Sequence, residues 1–493
     1  MRSWGPWAAL IALSALLTLP AALGPMRLNE SFWIDWVWLD QFAEQLRQGI
    51  LYPRWLPLSH GGLGSPVFYY YPPLAFYLGS IFSLAGLTTY ASLIAAFFAA
   101  YALSGVAMYA WLRNAAPRPL LGAMAYVVAP YHAFNFYSRG AIAETLATAL
   151  LPFVMIGIRR LARGERGGYA LAAVSYGLLI ATHLPLALLA SLFLFAPYAL
   201  LWIVRSDWQR LVPMTAALAT GMALASAYLL PALLLEPYRD AAKLWHDPSL
   251  QPANWTVWNP SFWVDHSYHG VLLIAAAISL PLLVFAVWQR SGWAMWGLAC
   301  TLVAVGAAPL IWHAPLLRSV QFPFRLLPIA EFAAAAAFAF VSIRPIWLTL
   351  IAVPSMFLTS QIVQSASAAQ AVTFAEMQAA YPDVPENLPP GPRPYSWPSR
   401  WAIALAGEHR QPVVVNGTTV DTVFYFPAWQ VRCGGQRTYA FPEPEARLLS
   451  YKGQSCNRWL GLTLPERVGR AISLLGLLGL LGFWAFRSLG RRP

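Results

Sequence analysis

The sequence predicts an all-α polytopic transmembrane bundle with a small β-rich domain near the C-terminus. Three observations predict this fold class. Hydrophobic residues make up 58% of the 493 residues, and charged residues make up only 11%. The charges lie between long apolar runs, and they are divided unequally between the two sets of loops that these runs separate.

The apolar runs define the bundle, because a helix needs about 20 largely apolar residues to cross a bilayer. We assign twelve spans, to residues 7–23, 89–112, 119–136, 141–158, 168–182, 184–204, 211–231, 270–289, 292–312, 325–341, 346–363 and 470–487. Residues 73–87 are also apolar but short. Counting them as a span would invert every later loop, so we interpret them as a helix in the outer leaflet.

The loop charges orient the bundle. With a cytoplasmic N-terminus, the external loops hold 18 basic and 18 acidic residues, and the cytoplasmic ones hold only two acids, Glu165 and Asp207. The cytoplasmic set contains Arg2, Arg113, Arg118, Arg159, Arg160, Arg163, Arg166, Arg205, Arg210, Arg290, Arg344, Arg487, Arg491 and Arg492. Fourteen minus two gives the whole net charge of +12. Arg and Lys in short loops mark the cytoplasmic side, so the basic charge does not indicate a nucleic-acid partner. We predict a multi-pass protein of a bacterial inner membrane, with both termini in the cytoplasm.

The remaining polar segments give the domain organisation. We predict a transmembrane domain over residues 1–363 with external loops at 24–72, 232–269 and 313–324, a periplasmic domain over 364–469, and a final helix with a cytoplasmic tail over 470–493. The periplasmic segment has the usual scale of a small domain. Its runs VVV and TTVDTVFYF, separated by Asn-Gly, predict β-strands joined by a tight turn.

Cysteines and nucleotide motifs restrict the chemistry. Cys300 lies in an apolar span, whereas Cys433 and Cys456 lie in the periplasmic segment, where a disulfide is permitted. We predict a bond between them, the alternative being two unpaired thiols. There is no Walker sequence, no dinucleotide fingerprint and no zinc spacing. We therefore predict no cofactor and assign no metal, and nothing in the spacing indicates a divalent cation.

Four motifs carry a resemblance to a known family. The first external loop runs from NESFWIDW to YYYPPL, and it is followed by SRGAIAETLA at 138–147, QFPFRLL at 321–327 and FYFPAWQVRCGG at 424–435. With these motifs the chain resembles the polytopic membrane family labelled pyruvoyl-tetrahydropterin-synthase-related and, more widely, the GT-C glycosyltransferase fold. The chain departs from the family pattern in the first loop, where Ser31 stands in place of an Asp and Asp35 in place of a His. No residue pattern supports pterin chemistry.

The resemblance implies transfer of a sugar from a polyprenyl-phosphate carrier to an envelope glycan, lipid or protein at the external membrane face. The implied partners are this lipid-linked donor, the acceptor and membrane lipids. Asp35 is the candidate catalytic base, Asp40 is its substitute, and Glu144 is a second catalytic carboxylate. Candidate substrate-binding residues are Arg54, Arg139 and Arg325, together with His183, Tyr70, Tyr71 and Gln321.

Each candidate also has a simpler interpretation. Asp35 lies on an amphipathic helix predicted from residue 35 to 48, which would place it at the membrane surface, although its neighbours are Trp33, Ile34 and Trp36. Glu144 is suited to cap a helix N-terminus, yet ionisable groups at this depth are costly and usually functional. His183 would be satisfied by the interface. For Glu331, a partner on another helix is expected.

The alternative for the whole chain is a non-catalytic transporter or an envelope-assembly scaffold. A transporter of the repeated-half type should show polar or broken helices at mid-membrane. The ionisable residues of this chain instead cluster at the outer ends of the predicted spans, which favours a surface site.

Overall fold

A computed structural model describes residues 4–24, 30–205, 208–240, 246–259, 266–340, 342, 345–367, 373, 375–376, 383–390, 411–444 and 446–489. The chain is mainly helical. Its α-helices are α1 (Gly5–Leu23), α2 (Glu30–Arg47), α3 (Val67–Tyr70), α4 (Leu74–Leu84), α5 (Thr89–Leu112), α6 (Pro119–Val127), α7 (Pro130–Ala133), α8 (Ile142–Ala162), α9 (Gly168–Ile180), α10 (Leu184–Ala190), α11 (Ala196–Arg205), α12 (Leu211–Leu224), α13 (Ser226–Leu234), α14 (His266–Gln289), α15 (Gly292–Ala304), α16 (Pro315–Arg318), α17 (Leu327–Phe340), α18 (Pro345–Ser367) and α19 (Leu464–Leu489). Short π-helical segments cover Phe134–Arg139 and Ser191–Phe195.

Six helical segments among the described residues are long and apolar enough to cross a membrane, or seven if one bent pair is a single span. They are Gly5–Leu23, Thr89–Leu112, Ile142–Ala162, Leu184–Leu201, His269–Gln289 and Pro323–Phe340, and the bent pair is Trp208–Leu224 with Ser226–Leu234. The structure therefore supports a polytopic membrane protein but does not confirm twelve spans.

Three predicted spans are interrupted among the described residues, and one of them is 211–231, where the bent pair breaks between Leu224 and Ser226. Within 119–136, α6 ends at Val127, and the chain restarts at Pro130, which has no backbone N–H to continue the helix. Within 292–312, α15 ends at Ala304 and a left-handed turn follows at Gly306. Such irregular backbone is tolerated in a membrane protein where the surrounding protein buries it.

The chain divides into two compact units, neither of them continuous in sequence. One comprises residues 1–36, 77–222 and 248–372, and the other comprises 37–76, 223–247 and 373–493. The domain boundaries predicted at 363 and 469 stay predictions, because the two compact units are divided at other residues.

The core of the first unit is built where helices approach closely at small residues. A side chain at Gly122 of α6 would lie 2.6 Å from the Ala335 carbonyl of α17, and one at Gly157 of α8 would lie 2.5 Å from the backbone nitrogen of Ala172 in α9. Small residues are typical of helix contacts in membranes, because they let backbones approach. Helix α8 contacts α5 and α9, and its first residues, Ile142, Ala143 and Glu144, are buried in this unit.

Helix α2 differs from its prediction. It begins at Glu30, five residues before the predicted start, and Phe32, Trp38 and Phe42 are all buried. The protein itself covers these apolar side chains, so the helix does not expose a free apolar face, and its position at the membrane surface stays a prediction. The reason is tertiary packing, which burial of aromatic residues drives strongly.

The second unit contains two antiparallel sheets. The strands are β1 (Val413–Val415), β2 (Thr418–Phe424), β3 (Trp429–Cys433), β4 (Gln436–Thr438), β5 (Ala440–Pro442), β6 (Leu448–Tyr451) and β7 (Cys456–Leu460). The sheet orders are β1-β2-β6-β5 and β4-β3-β7. Asn416 and Gly417 join β1 to β2 with positive φ angles of 49° and 73°, as the Asn-Gly pair indicated.

The structure joins Cys433 to Cys456 in a disulfide, with 4.0 Å between their Cα atoms. The two cysteines are direct partners in the register of β3 and β7. Cys300 is a buried free thiol.

Candidate functional site

Glu144 is the centre of a buried polar cluster in the first unit. It lies in the first turn of α8 and is only 1% exposed. Its Oε2 atom accepts a hydrogen bond from Arg139 Nη1 at 2.7 Å, and its Oε1 atom accepts one from the Tyr131 hydroxyl at 2.7 Å. A helix N-terminus favours a negative charge in its first turn, so the local backbone and the two donors stabilise the carboxylate together.

A left-handed turn at Gly140 makes the Arg139–Glu144 pair. Gly140 has φ +68° and ends the π-helical segment Phe134–Arg139 just before α8 begins. Arg139 and Glu144 lie on either side of this turn, and their side chains form an ion pair with 2.7 Å between Nη1 and Oε2. Arg139 Nη1 also donates to Asn135 Oδ1 at 2.6 Å and to the Tyr131 hydroxyl at 3.2 Å. These bonds fix the guanidinium group in one orientation.

A second guanidinium group reaches Glu144 from a distant part of the chain. Arg325 Nε lies 3.8 Å from Glu144 Oε2. Arg325 Nη1 donates to the Val320 carbonyl at 2.7 Å and to Gln321 Oε1 at 2.9 Å. Two guanidinium groups therefore surround one carboxylate, an arrangement typical of sites that bind phosphate or carboxylate groups.

His183 completes this side of the cluster. Its Nε2 atom is 3.9 Å from Glu144 Oε2, and its Nδ1 atom accepts the backbone N–H of Leu186 at 3.1 Å, which caps α10. Because Nδ1 is an acceptor, the ring is neutral and carries its proton on Nε2, which faces the carboxylate. The simpler interpretation expected the polar groups of His183 to be satisfied at the membrane interface. In the structure, its two ring nitrogens instead face Glu144 and the backbone of Leu186.

Asp35 is the second carboxylate of the site. It is only 3% exposed, and its Oδ2 atom has no hydrogen-bond partner among the described residues. Burial raises the pKa of Asp35 well above its ordinary value, while the backbone amide of Ile142 and the guanidinium group of Arg139 act in the opposite direction. Asp35 thus lies within the electrostatic reach of the residue that also holds Glu144.

Close packing of α2 on the Gly140 turn places Asp35 there. A Cβ atom on Gly140 would lie 2.3 Å from the Cβ atom of Phe32, so only glycine permits this approach. Phe32 and Asp35 are three residues apart on one helix face. The contact of Phe32 with the turn therefore brings Asp35 to the N-terminus of α8.

Four predicted site residues belong to the second compact unit. The Arg54 side chain forms an ion pair with Glu466, which caps the start of α19 through Thr463. The Tyr70 hydroxyl donates to the Leu235 carbonyl at 2.8 Å, and the Tyr71 ring packs on Trp38 with 5.0 Å between ring centroids. Asp40 is partly exposed on α2. These four residues remain candidates, but they are not part of the Glu144 cluster as it is defined in the first unit.

Sequence reasoning missed Tyr131, Asn135 and His132. All three lie in the run YHAFNF at 131–136, where polar and aromatic residues are mixed at the end of the predicted span 119–136. That interruption of an apolar run was a signal, since ionisable groups within a membrane segment are functional candidates.

No group of three or more His, Cys, Asp or Glu side chains that could hold a metal ion occurs among the described residues. The predicted external loop 232–269 carries His246, Asp247, Asp265, His266 and His269, whose spacing matches no standard metal site, and Asp265 lies outside the described residues.

Comparison with known proteins identifies the family. The family described as "6-pyruvoyl-tetrahydropterin synthase related domain; membrane protein" matches residues 68–370, which is more than half of the chain. The chain belongs to this family. It is therefore a membrane protein, as the apolar spans indicated.

Several solved structures are similar to the chain. A variant of arabinofuranosyltransferase AftD from Mycobacteria shares 18% identity with a TM-score of 0.47, covering 75% of this chain and 29% of AftD. ArnT from Cupriavidus metallidurans, bound to undecaprenyl phosphate, shares 12% identity with a TM-score of 0.35, covering 92% of this chain and 99% of ArnT. The chain thus spans less than a third of AftD. No curated protein matches it.

Proposed function

We propose that the protein is a membrane glycosyltransferase of the GT-C type. In this proposal it moves a sugar from a polyprenyl-phosphate-linked donor to a hydroxyl of a cell-envelope acceptor at the periplasmic face of a bacterial inner membrane. One observation carries the proposal. Asp35, Arg139, Glu144, His183 and Arg325, which come from four separate segments, meet in the interior of one unit.

Asp35 is suited to act as the base. The acceptor hydroxyl gives its proton to the Asp35 carboxylate as its oxygen bonds to C1 of the sugar. The bond between C1 and the phosphate oxygen breaks, and its electron pair leaves with the polyprenyl phosphate. The Asp35 Oδ2 atom has no hydrogen-bond partner in the described part of the chain, which supports this role. A raised pKa also brings a carboxyl group closer to neutral working pH, where general bases are most effective.

Arg139 and Arg325 are suited to stabilise the leaving phosphate. Charge grows on the phosphate oxygens as the bond to C1 breaks, and fixed cations stabilise that charge without reorganising. Both guanidinium groups are held beside Glu144, with Arg139 Nη1 at 2.7 Å and Arg325 Nε at 3.8 Å from its Oε2 atom.

Glu144 is better suited to orienting than to proton transfer. Both of its oxygens already accept hydrogen bonds, from Tyr131 and Arg139. We therefore assign Glu144 the task of holding Arg139 and Arg325 in place, and we keep Asp40 only as the substitute base.

The experiment compares envelope sugars in the host organism. Deletion of the protein should remove a specific sugar from the envelope, and the wild-type protein should restore it. The Asp35→Asn variant should insert at normal levels and fail to restore the sugar, whereas Asp40→Asn, the matched control on the same helix, should restore it. If Asp35→Asn restores the sugar and Asp40→Asn does not, Asp40 is the base and the assignment of Asp35 is wrong.

Two outcomes would contradict the proposal as a whole. If deletion changes no envelope sugar, the transferase role fails. If Asp35→Asn and Glu144→Gln both restore the sugar, the chain acts as the non-catalytic transporter or scaffold that the sequence left open.

A further inference from the structure

A third buried acid lies next to the candidate site. Glu331 of α17 is 1% exposed. Its Oε1 atom accepts the backbone N–H of Tyr131 at 2.6 Å, and its Oε2 atom lies 2.8 Å from His132 Nδ1. The partner of Glu331 is therefore on another helix, as the sequence indicated, and it is not Arg325.

The hydrogen bonds continue from Glu331 into a third helix. His132 Nε2 lies 3.1 Å from Ser104 Oγ of α5. Ser104, His132 and Glu331 are each at most 2% exposed, and the Tyr126 ring packs edge-on against the imidazole at 4.7 Å between centroids. Hydrogen bonds in such a low-dielectric interior are stronger than in water and allow few alternative geometries.

Tyr131 connects the two acids. Its backbone N–H is bound to Glu331, and its hydroxyl is bound to Glu144. Glu331 holds the backbone of Tyr131 at the start of α7. The position of the Tyr131 phenol therefore depends on Glu331, and so does the orientation of Glu144. The continuous path runs from Ser104 through His132, Glu331 and Tyr131 to Glu144.

We propose that Glu331 and His132 are positioning residues of the site and act on Glu144 through Tyr131. A buried ion pair or hydrogen-bonded acid contributes little to stability compared with packed apolar side chains, so helix packing alone does not call for Glu331. The role in catalysis rests on the proposed function, whereas the geometric coupling of Glu331 to Tyr131 does not.

The first test is a double-mutant cycle on transfer activity. Glu331→Met keeps a similar side-chain size but removes both acceptor atoms, and Tyr131→Phe removes the hydroxyl. Each single variant should lower kcat by about tenfold with little change in KM, a coupling within the range for hydrogen-bonded neighbours. The double variant should lose no more than either single variant. Losses that multiply would show that Glu331 does not act through Tyr131 and would overturn the proposal.

The second test does not require activity. 3-Fluorotyrosine is introduced at position 131 of the full chain in detergent micelles, and its 19F resonance is recorded. Glu331→Met should shift or broaden this resonance. Thr301→Val, which removes a buried hydrogen bond to the Gly297 carbonyl elsewhere in the same unit, should not. An unchanged resonance in Glu331→Met would overturn the proposal even if the chain is a transferase.

A variant that preserves the side-chain shape covers the case in which Glu331→Met does not fold. Glu331→Gln retains an oxygen for the Tyr131 N–H but loses the acceptor for His132 Nδ1–H. It should give a smaller 19F change of the same kind, and no change would also overturn the proposal. A wild-type protein without transfer activity that still shows these changes would remove the proposed function and leave the positioning of Tyr131 intact.

Discussion

At the scale of single residues, two carboxylates in one cluster have opposite surroundings. Both Glu144 oxygens are hydrogen bonded, and two guanidinium groups lie nearby. Asp35 has an oxygen without a partner among the described residues. The sequence indicated both acids, through the apolar neighbours of Asp35 and the depth of Glu144. It did not distinguish their roles, because the distinction depends on donors such as Tyr131 that come from other segments.

Asp35 should give transfer activity an acidic limb. Burial raises the pKa of Asp35, and a base acts only when ionised, so kcat/KM should rise with pH through that raised pKa. The limb should lie above the pH expected for an ordinary aspartate, about 3.9. Asp35→Asn should lower kcat by at least about 100-fold. A pH profile that is flat down to the ordinary value would contradict the assignment.

The same substitution should stabilise the fold. Since the pKa of Asp35 is higher in the folded state, the unfolded chain releases this proton first. The folded state therefore loses stability as the pH rises from the ordinary to the raised value. Asp35→Asn avoids this loss, so its melting temperature should exceed that of the wild type at pH 8 and approach it at pH 4. A lower melting temperature of Asp35→Asn than of the wild type at pH 8 would contradict a raised pKa of Asp35 in the folded state.

Glu144→Gln should destabilise the protein as well as reduce transfer. Removing one partner of a buried ion pair leaves the cations uncompensated and typically costs about 3 to 5 kcal/mol. The matched control is Glu165→Gln, because Glu165 is 46% exposed and lies 3.6 Å from Arg163. Exposed pairs contribute about 0 to 1 kcal/mol. Denaturation in detergent should separate the two variants, and equal losses would argue against a buried, stabilised carboxylate at 144.

At the scale of elements, the Gly140 turn sets the site. The turn separates Arg139 from Glu144, and the missing side chain of Gly140 leaves room for Phe32 of α2 to pack against the turn. Sequence periodicity predicted a helix around Asp35 but gave it an exposed face, because a single sequence does not contain the packing partner. The interrupted helices α6 and α15 escaped the prediction for the same reason, since apolar composition does not reveal where surrounding protein tolerates a break.

Gly140→Ala should disturb α2 and the activity together. The new Cβ atom would meet Phe32 at 2.3 Å, in addition to the cost of a non-glycine residue at φ +68°. Gly164→Ala is the control, because Gly164 has the same φ, and the nearest atom to its added Cβ is the end of the Arg210 side chain at 3.0 Å. The control should lose about 1 to 2 kcal/mol of stability, and Gly140→Ala should lose more and also lose transfer. Equal behaviour of the two variants would show that the contact with Phe32 does not position Asp35.

At the scale of the whole molecule, the charge distribution and the disulfide both bear on which side of the membrane the β-rich segment lies. The loop charges predict that residues 364–469 lie outside the cytoplasm, and the structure pairs Cys433 with Cys456 in that segment. A disulfide persists in an oxidising compartment and is rare in the cytosol. Both features therefore predict a periplasmic β-rich segment.

Cysteine labelling in intact cells checks this topology. In a Cys300→Ala background, a membrane-impermeant maleimide should label the chain only after reduction, because Cys433 and Cys456 are bonded to each other. A Cys433→Ser variant should be labelled at Cys456 without reduction. Labelling of that variant only after cell lysis would place the segment in the cytoplasm and reverse the assigned orientation.

The sequence by itself determined the class of the protein, because bilayer thickness, loop charge and the Asn-Gly turn act locally and leave patterns in the chain. It also supplied Asp35, Arg139, Glu144 and Arg325 as candidates. Only the tertiary structure decided that these residues meet, that Arg54 pairs with Glu466, and that Tyr131 links Glu144 to Glu331. Those contacts join residues up to 412 positions apart. The approach of distant segments depends on helix packing, which no local pattern records.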